Sequence, residues 1–243
     1  NTAVGYSAGL AITTGVRNTL IGGLAGDELT DADYNVAVGM FVLGSDTLGS
    51  RSTGMGYGAL QTQNFTTATD SYNVGVGYDA GAALTTGVQN TLIGGLAGDA
   101  LTDADYNIAI GYASLTTDTL GSRSVAMGPF ALYTQNFTTA TDTYNTAVGY
   151  SAGGAVTTGI SNTLIGGLAG DALTDADKNV AVGQRALSGD TLGSKSTAIG
   201  TDALKVQNFT TATDSYNVAV GFETGQSITT GIRNTLLGGE AGD

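Results

Sequence analysis

The chain contains no cysteine, no histidine and no tryptophan, and a single proline, in 243 residues. Without histidine there is no imidazole base to activate a Ser or Cys nucleophile. Without cysteine there is no thiolate, disulfide, Cys-ligated zinc or iron–sulfur cluster. Carboxylate chemistry, or none, is what remains. Basic residues are also scarce: eight Lys and Arg against 21 Asp and Glu give a net charge of -13, which repels the phosphate backbone and argues against nucleic acid as a partner. Charged residues make up only 12% of the chain while 41% is hydrophobic, a balance that does not fit an intrinsically disordered segment. Much of the polarity rests on Thr, Ser and Asn. No run approaches the ~18 apolar residues of a membrane span, and Asn1-Thr2-Ala3-Val4-Gly5 has no basic region leading into an apolar one. Neither membrane insertion nor a signal peptide is read, and the acidic, Thr-rich, lysine-poor composition suits an exposed extracellular protein better than a cytosolic enzyme.

What the chain does have is repetition. Asn1, Asn73, Asn145 and Asn217 open near-identical segments 72 residues apart, giving copies 1–72, 73–144 and 145–216 and a partial copy 217–243, a single array over 1–243. Each copy divides into units of 17, 17, 17 and 21 residues, 14 units in all with the last one partial. Every unit opens with Asn or Ser, then a β-branched residue, then Ala, Gly or Leu, then an aliphatic residue or Met, then Gly. The fifth-position glycine never fails: Gly5, Gly22, Gly39, Gly56, Gly77, Gly94, Gly111, Gly128, Gly149, Gly166, Gly183, Gly200, Gly221 and Gly238. Positions two and four share one face of a two-residue period and position three takes the other, so each unit reads as a short strand ended by a glycine turn.

Strands this short cannot stand alone, and the regular glycines exclude long helices. Near-identical units stack most easily as successive coils, so the predicted fold is all-β: a parallel β-solenoid of 17- and 21-residue coils. Equivalent residues then form ladders roughly 4.8 Å apart, and the rungs would add up to a rod of about 65 Å. Positions two and four are expected to stack in the core, with Ile12, Leu29 and Leu48 and their repeats Leu84, Leu101, Leu120, Val156, Leu173 and Leu192 completing it. The small third position is expected to face a neighbouring chain, since Ala37, Gly75, Ala109, Ala147, Ala181 and Ala219 would allow close backbone approach.

Asn at position one recurs in 11 of the 14 units, at Asn1, Asn18, Asn35, Asn73, Asn90, Asn107, Asn145, Asn162, Asn179, Asn217 and Asn234. An in-register column of amides can donate and accept along the stack, so a structural ladder is expected in preference to a row of exposed ligand-binding amides. Ser52, Ser124 and Ser196 interrupt it where each long unit begins. The long unit adds an excursion around Phe65, Phe137 and Phe209, whose Asn64, Asn136 and Asn208 form glycosylation sequons read as incidental turn residues.

Other motifs are weaker. Gly94-Gly95-Leu96-Ala97-Gly98-Asp99 resembles the calcium nonapeptide of repeats-in-toxin proteins but has Ala97 where that motif needs glycine, and it lacks the tandem nonapeptide period. Asp99, Asp103 and Asp105 are the candidate calcium ligands, and solvated turns are the competing reading. The same glycines lack the strand, loop and helix order of a phosphate-binding loop. Asp31 and Asp33 have the pairing of a glycosidase, but a pair repeated in every copy reads as a surface loop. Thr13, Thr85, Thr157 and Thr229 occur once in four units, too sparsely for an ice-binding face.

The strand motifs Asn35-Val36-Ala37-Val38-Gly39, Asn107-Ile108-Ala109-Ile110-Gly111 and Ser124-Val125-Ala126-Met127-Gly128 resemble the head repeats of trimeric autotransporter adhesins, related forms of which occur in phage tail fibres. The likeness extends to Ala at the eighth position in 11 units. It implies a left-handed β-roll assembled as a homotrimer in an elongated surface or virion fibre, although the units here are longer than those of adhesin heads. Neither a stalk coiled coil nor a membrane anchor is read, which suits a fragment or a viral fibre. The expected function is a structural shaft without catalytic activity and without a cofactor, calcium aside. The alternatives are an adhesive head that binds a host-surface glycan or protein through repeated loops around Phe65, Phe137 and Phe209, and a polysaccharide depolymerase, for which no asymmetric acidic cleft is visible.

Overall fold

The computed structural model describes residues 1–243, and the chain is all-β, a parallel solenoid whose coils recur about every 17 residues. No helix is long and apolar enough to cross a membrane. Two compact units can be distinguished, one comprising Asn1–Ser122 with Thr138–Thr141 and the other Arg123–Phe137 with Asp142–Asp243. In the first, three-residue strands at Thr2–Val4, Thr19–Ile21, Val36–Val38, Thr53–Met55, Val74–Val76, Thr91–Ile93 and Ile108–Ile110 pair in parallel in that order. In the second, Val125–Met127, Thr146–Val148, Thr163–Ile165, Val180–Val182, Thr197–Ile199, Val218–Val220 and Thr235–Leu237 do the same. The register is residue for residue, as in Thr19↔Val36, Leu20↔Ala37 and Ile21↔Val38. The long units add a second, minor ladder, Gly49–Ser50 with Thr69–Asp70 and Gly193–Ser194 with Thr213–Asp214.

The strand faces are the reverse of the sequence expectation. Position three points inward: Leu20, Ala37, Leu92, Ala109, Ala147, Ala181 and Ala219 are fully buried. Positions two and four point outward and are only half-covered, with Ile21, Met55, Ile93, Ile108 and Ile165 all exposed. Both alternations obey the same two-residue period, and the period alone cannot say which face is the inside. The small third position therefore gives no support for contact with a neighbouring chain. It is small because the interior of a 17-residue coil is narrow.

That interior is packed by exchange of volume between positions. Position nine is Gly in the first two units of each copy and Leu in the last two, as in Gly81, Gly98, Leu115 and Leu132. A Cβ on Gly81 would lie 2.6 Å from Leu92 Cδ1, so the glycine leaves room for leucine at position three one coil on. Conversely, Gly75 at position three faces Leu60 at position nine, whose Cγ would be 2.8 Å from an added Cβ. The backbone does not distinguish the two classes, since φ is +62° at Gly81 and +53° at Leu60 and Leu115. Position twelve follows the same alternation. Leu29, Leu84, Leu101, Val156 and Leu173 are buried as expected, but Leu48, Leu120 and Leu192 are only half-buried, and Asp46, Asp118 and Asp190 occupy the interior there instead. Four distinct core layers therefore make one 72-residue copy, which is the physical reason for the long period.

The fifth-position glycines end the strands for two reasons at once. At Gly94 φ is +134°, and a Cβ would lie 2.5 Å from the carbonyl oxygen of Gly111 in the next coil. The obstructing atom is backbone, so no rotamer change relieves it.

Candidate functional site

The asparagine column is buried except at Asn1 and Asn234, and its amides bond to one another, Asn90 Nδ2 to Asn73 Oδ1 and Asn162 Nδ2 to Asn145 Oδ1 at 3.3 Å each, as well as to the backbone. Each Asn side-chain oxygen accepts the backbone N–H of the residue at position one in the next coil: Asn35 N–H donates to Asn18 Oδ1 at 2.8 Å, Asn107 N–H to Asn90 Oδ1 at 2.9 Å and Asn179 N–H to Asn162 Oδ1 at 3.0 Å. The Nδ2 group donates to a corner carbonyl, Asn90 to Ala104 O at 2.7 Å and Asn162 to Ala176 O at 2.7 Å. One side chain thus satisfies two buried backbone groups that the strand ladder leaves over.

Serine at position one cannot span that distance, and a buried polar network replaces the missing contacts. Asp46 Oδ1 accepts Gly49 N–H at 3.0 Å and Phe65 N–H at 3.1 Å, and its Oδ2 accepts Gln63 Nε2. Gln63 Nε2 also donates to Ser52 Oγ at 3.0 Å, Gln63 Oε1 accepts Asn73 Nδ2 at 2.9 Å, and Ser52 meets Ser71. Asp190, Gln207, Ser196, Ser215 and Asn217 repeat the arrangement. Burial raises the Asp46 carboxyl above its usual range, against the pull of these hydrogen bonds. The network is closed to solvent, so its role is architectural. Phe65, Phe137 and Phe209 are buried as well, at 5%, 7% and 6% exposure, and cannot serve as repeated binding residues. Thr66, Thr67, Ala68 and Asp70 are the exposed residues of that excursion.

The repeated acids also bond between coils. Thr86 Oγ1 donates to Asp103 Oδ1 at 2.7 Å, Val88 N–H donates to Asp105 Oδ1 at 2.8 Å, and Thr116 Oγ1 donates to Asp99. Asp31 and Asp33 accept the Thr14 hydroxyl and the Val16 N–H in the same way. No group of three metal-ligating side chains forms. On an exposed edge Arg17, Tyr34, Arg51 and Tyr72 stack as alternating cations and rings, with Arg51 4.7 Å from the Tyr34 centroid and paired to Asp70 at 2.9 Å.

One place breaks the uniformity. In the second unit an open cleft of about 460 Å³ is lined by Phe130, Tyr133, Thr134, Tyr150, Ser151, Gly154, Ala155, Leu168 and Asp171. Phe130 meets Tyr133 edge-on at 5.6 Å and Tyr150 edge-on at 6.0 Å. Asp171 has a buried Oδ1 with no hydrogen-bond partner, and burial raises its carboxyl pKa. The residues 72 positions earlier are Gly58, Gln61, Tyr78, Asp79 and Asp99 in place of Phe130, Tyr133, Tyr150, Ser151 and Asp171. The signal was present in the sequence as local divergence between copies, next to Pro129, the chain's one proline.

The fold and the closed, repeated interior define the class: a parallel β-solenoid repeat protein. Comparison with family models, curated proteins and solved structures returns no match.

Proposed function

We propose that the chain is a passive, non-enzymatic shaft segment of an extracellular fibre, on a virion or a cell surface, built from several copies of itself with a trimer favoured. The observation that carries this reading is the four-layer core, which returns to its starting layer after 72 residues and so allows whole copies to be added without a packing mismatch. The outward sheet face supports self-association: Ile21, Ile93 and Ile165 recur at identical places on it and stay exposed. A surface with this repeat is matched best by another with the same repeat, as a second copy of the chain provides. The reading requires no cofactor.

Three measurements test it: imaging of two deletions, the mass in solution and an assay for polysaccharide hydrolysis. Deleting residues 73–144 should leave a folded chain shortened by about four rungs, roughly 19 Å in electron micrographs, whereas deleting 73–108 should misfold because it joins unlike core layers. Light scattering should return a three-copy mass, and glutamate at Ile93 and Ile165 should reduce it to one copy. Misfolding of the clean deletion, turnover of a polysaccharide, or a single-copy mass for the unsubstituted chain at about micromolar concentration overturns the corresponding part. The adhesive alternative, a host-surface glycan or protein as partner, draws its support from the cleft at Tyr150 and not from the buried Phe65 class.

A further inference from the structure

We infer that the cleft formed by Phe130, Tyr133, Tyr150, Ser151 and Asp171 is a binding subsite for a neutral pyranose unit of a glycan. The inference gives the adhesive alternative a site and a ligand class, and the shaft reading stands or falls without it.

The comparison between copies carries the argument. At the equivalent place 72 residues earlier Tyr57 and Tyr78 stack at 5.6 Å with an interplanar angle of 11°, so each ring covers a face of the other. Pro129 stands where Tyr57 stands, one copy on. Tyr150, the counterpart of Tyr78, has no ring to stack on in that place and is 57% exposed. Phe130 replaces a glycine and meets Tyr150 at 88°, bracing the tyrosine by its edge and forming a second wall. Tyr133, in place of Gln61, adds a third ring. An aromatic face bordered by walls matches the flat C–H face of a sugar ring, which buries apolar surface without requiring an apolar ligand.

The polar side of the cleft points to the same ligand. Asp171 lines the cleft and its buried Oδ1 has no hydrogen-bond partner, whereas its second-copy counterpart Asp99 is satisfied by the Thr116 hydroxyl. A sugar ring presents hydroxyl donors at its rim, and a carboxylate accepts them with charge assistance. Ser151 replaces the acidic Asp79 and so removes a negative charge from the rim. The cleft's volume of about 460 Å³ is of the size that holds a small ligand. The chain's net charge of -13 disfavours acidic sugars.

The test uses the intact chain and three probes, maltotriose, cellotriose and N,N′,N″-triacetylchitotriose, with an oligogalacturonate as the acidic control. Binding is read by saturation-transfer NMR and by tyrosine fluorescence, which no tryptophan obscures. At least one neutral probe should bind, at up to about 10 mM. Tyr150→Ala and Asp171→Asn should each weaken it about tenfold or more. A variant carrying Pro129→Tyr, Phe130→Gly and Tyr133→Gln restores first-copy residues that already fold in this array, and it should lose binding while keeping its circular dichroism spectrum. Absence of binding by all three neutral probes, binding of the acidic control alone, or undiminished binding by the restored variant overturns the inference.

Discussion

Moving one leucine between two core positions tests the layered interior directly. Leu60 at position nine is fully buried, and Gly75 at position three of the next coil is small because Leu60 fills the space above it. Leu60→Gly alone opens a cavity and should cost about 3 kcal/mol, the usual loss for a buried leucine reduced by relief of its left-handed backbone. Gly75→Leu alone places a Cβ 2.8 Å from Leu60 Cγ and 3.1 Å from Ala80 O; overpacking of that kind costs about 2–3 kcal/mol. The double variant recreates the setting of Leu92, a position-three leucine flanked by glycines at position nine, here 60 and 81 in place of Gly81 and Gly98. It conserves volume and should lie within about 1.5 kcal/mol of the parent, so the two substitutions should couple by about 3–4 kcal/mol. Repeat arrays need not unfold in one step, so the readout is hydrogen exchange at amides that join these coils, Leu60 N–H to Ala80 O and Gly81 N–H to Ala97 O, each 3.0 Å. If protection in the double variant falls by the sum of the single losses, exchange of volume is not what organises the core.

Three further outcomes follow from the same structure. Asn90→Ala removes the acceptor for Asn107 N–H and the donor for Ala104 O, and should cost about 2–5 kcal/mol with exchange at Asn107 accelerated first; unchanged exchange there rejects the ladder role. Gly94→Val meets the Gly111 backbone at 2.5 Å with φ at +134°, whereas Gly95→Ala has its nearest neighbour at 3.5 Å on the Tyr112 ring, so the first should lose about 3 kcal/mol or more and the second almost nothing in urea melts. Asp46, Asp99 and Asp171 all have folded pKa values raised above 3.8, by burial first. Their contribution to stability is therefore fully present below the unfolded pKa and lost as the pH rises through the folded values. The urea midpoint should accordingly fall as the pH rises above the unfolded carboxyl pKa, and Asp171→Asn should flatten that fall. Asp214, lowered by its hydrogen bond to Lys195, acts with the opposite sign but is fully exposed and screened. A midpoint that rises over that range, or a slope unaffected at Asp171, contradicts the assignment.

Repetition alone determined the architecture of this protein. Glycine at every fifth position, Asn at most first positions and a unit length of 17 leave parallel stacking as the arrangement in which all equivalent residues meet their counterparts. The direction of the faces was not determined by it, because Val36-Ala37-Val38 alternates in the same way whether the alanine or the valines are inside. Only closure of the coil decides: a narrow interior accepts Ala37 or Leu20, and the β-branched pair is turned outward. The same closure set Asp46 in the core in place of Leu48 and buried Phe65, neither of which hydropathy indicates, since Asp46 is held by Gln63 and the Phe65 N–H from the next turn. The corners were hidden as well, because left-handed residues such as Leu24, Tyr34 and Leu43 carry ordinary side chains in place of glycine. The cleft at Tyr150 was written in the sequence as a few departures from the repeat, but their meaning required the third dimension: Phe130, Tyr150 and Asp171 come from three successive coils and meet only because the coils stack in register.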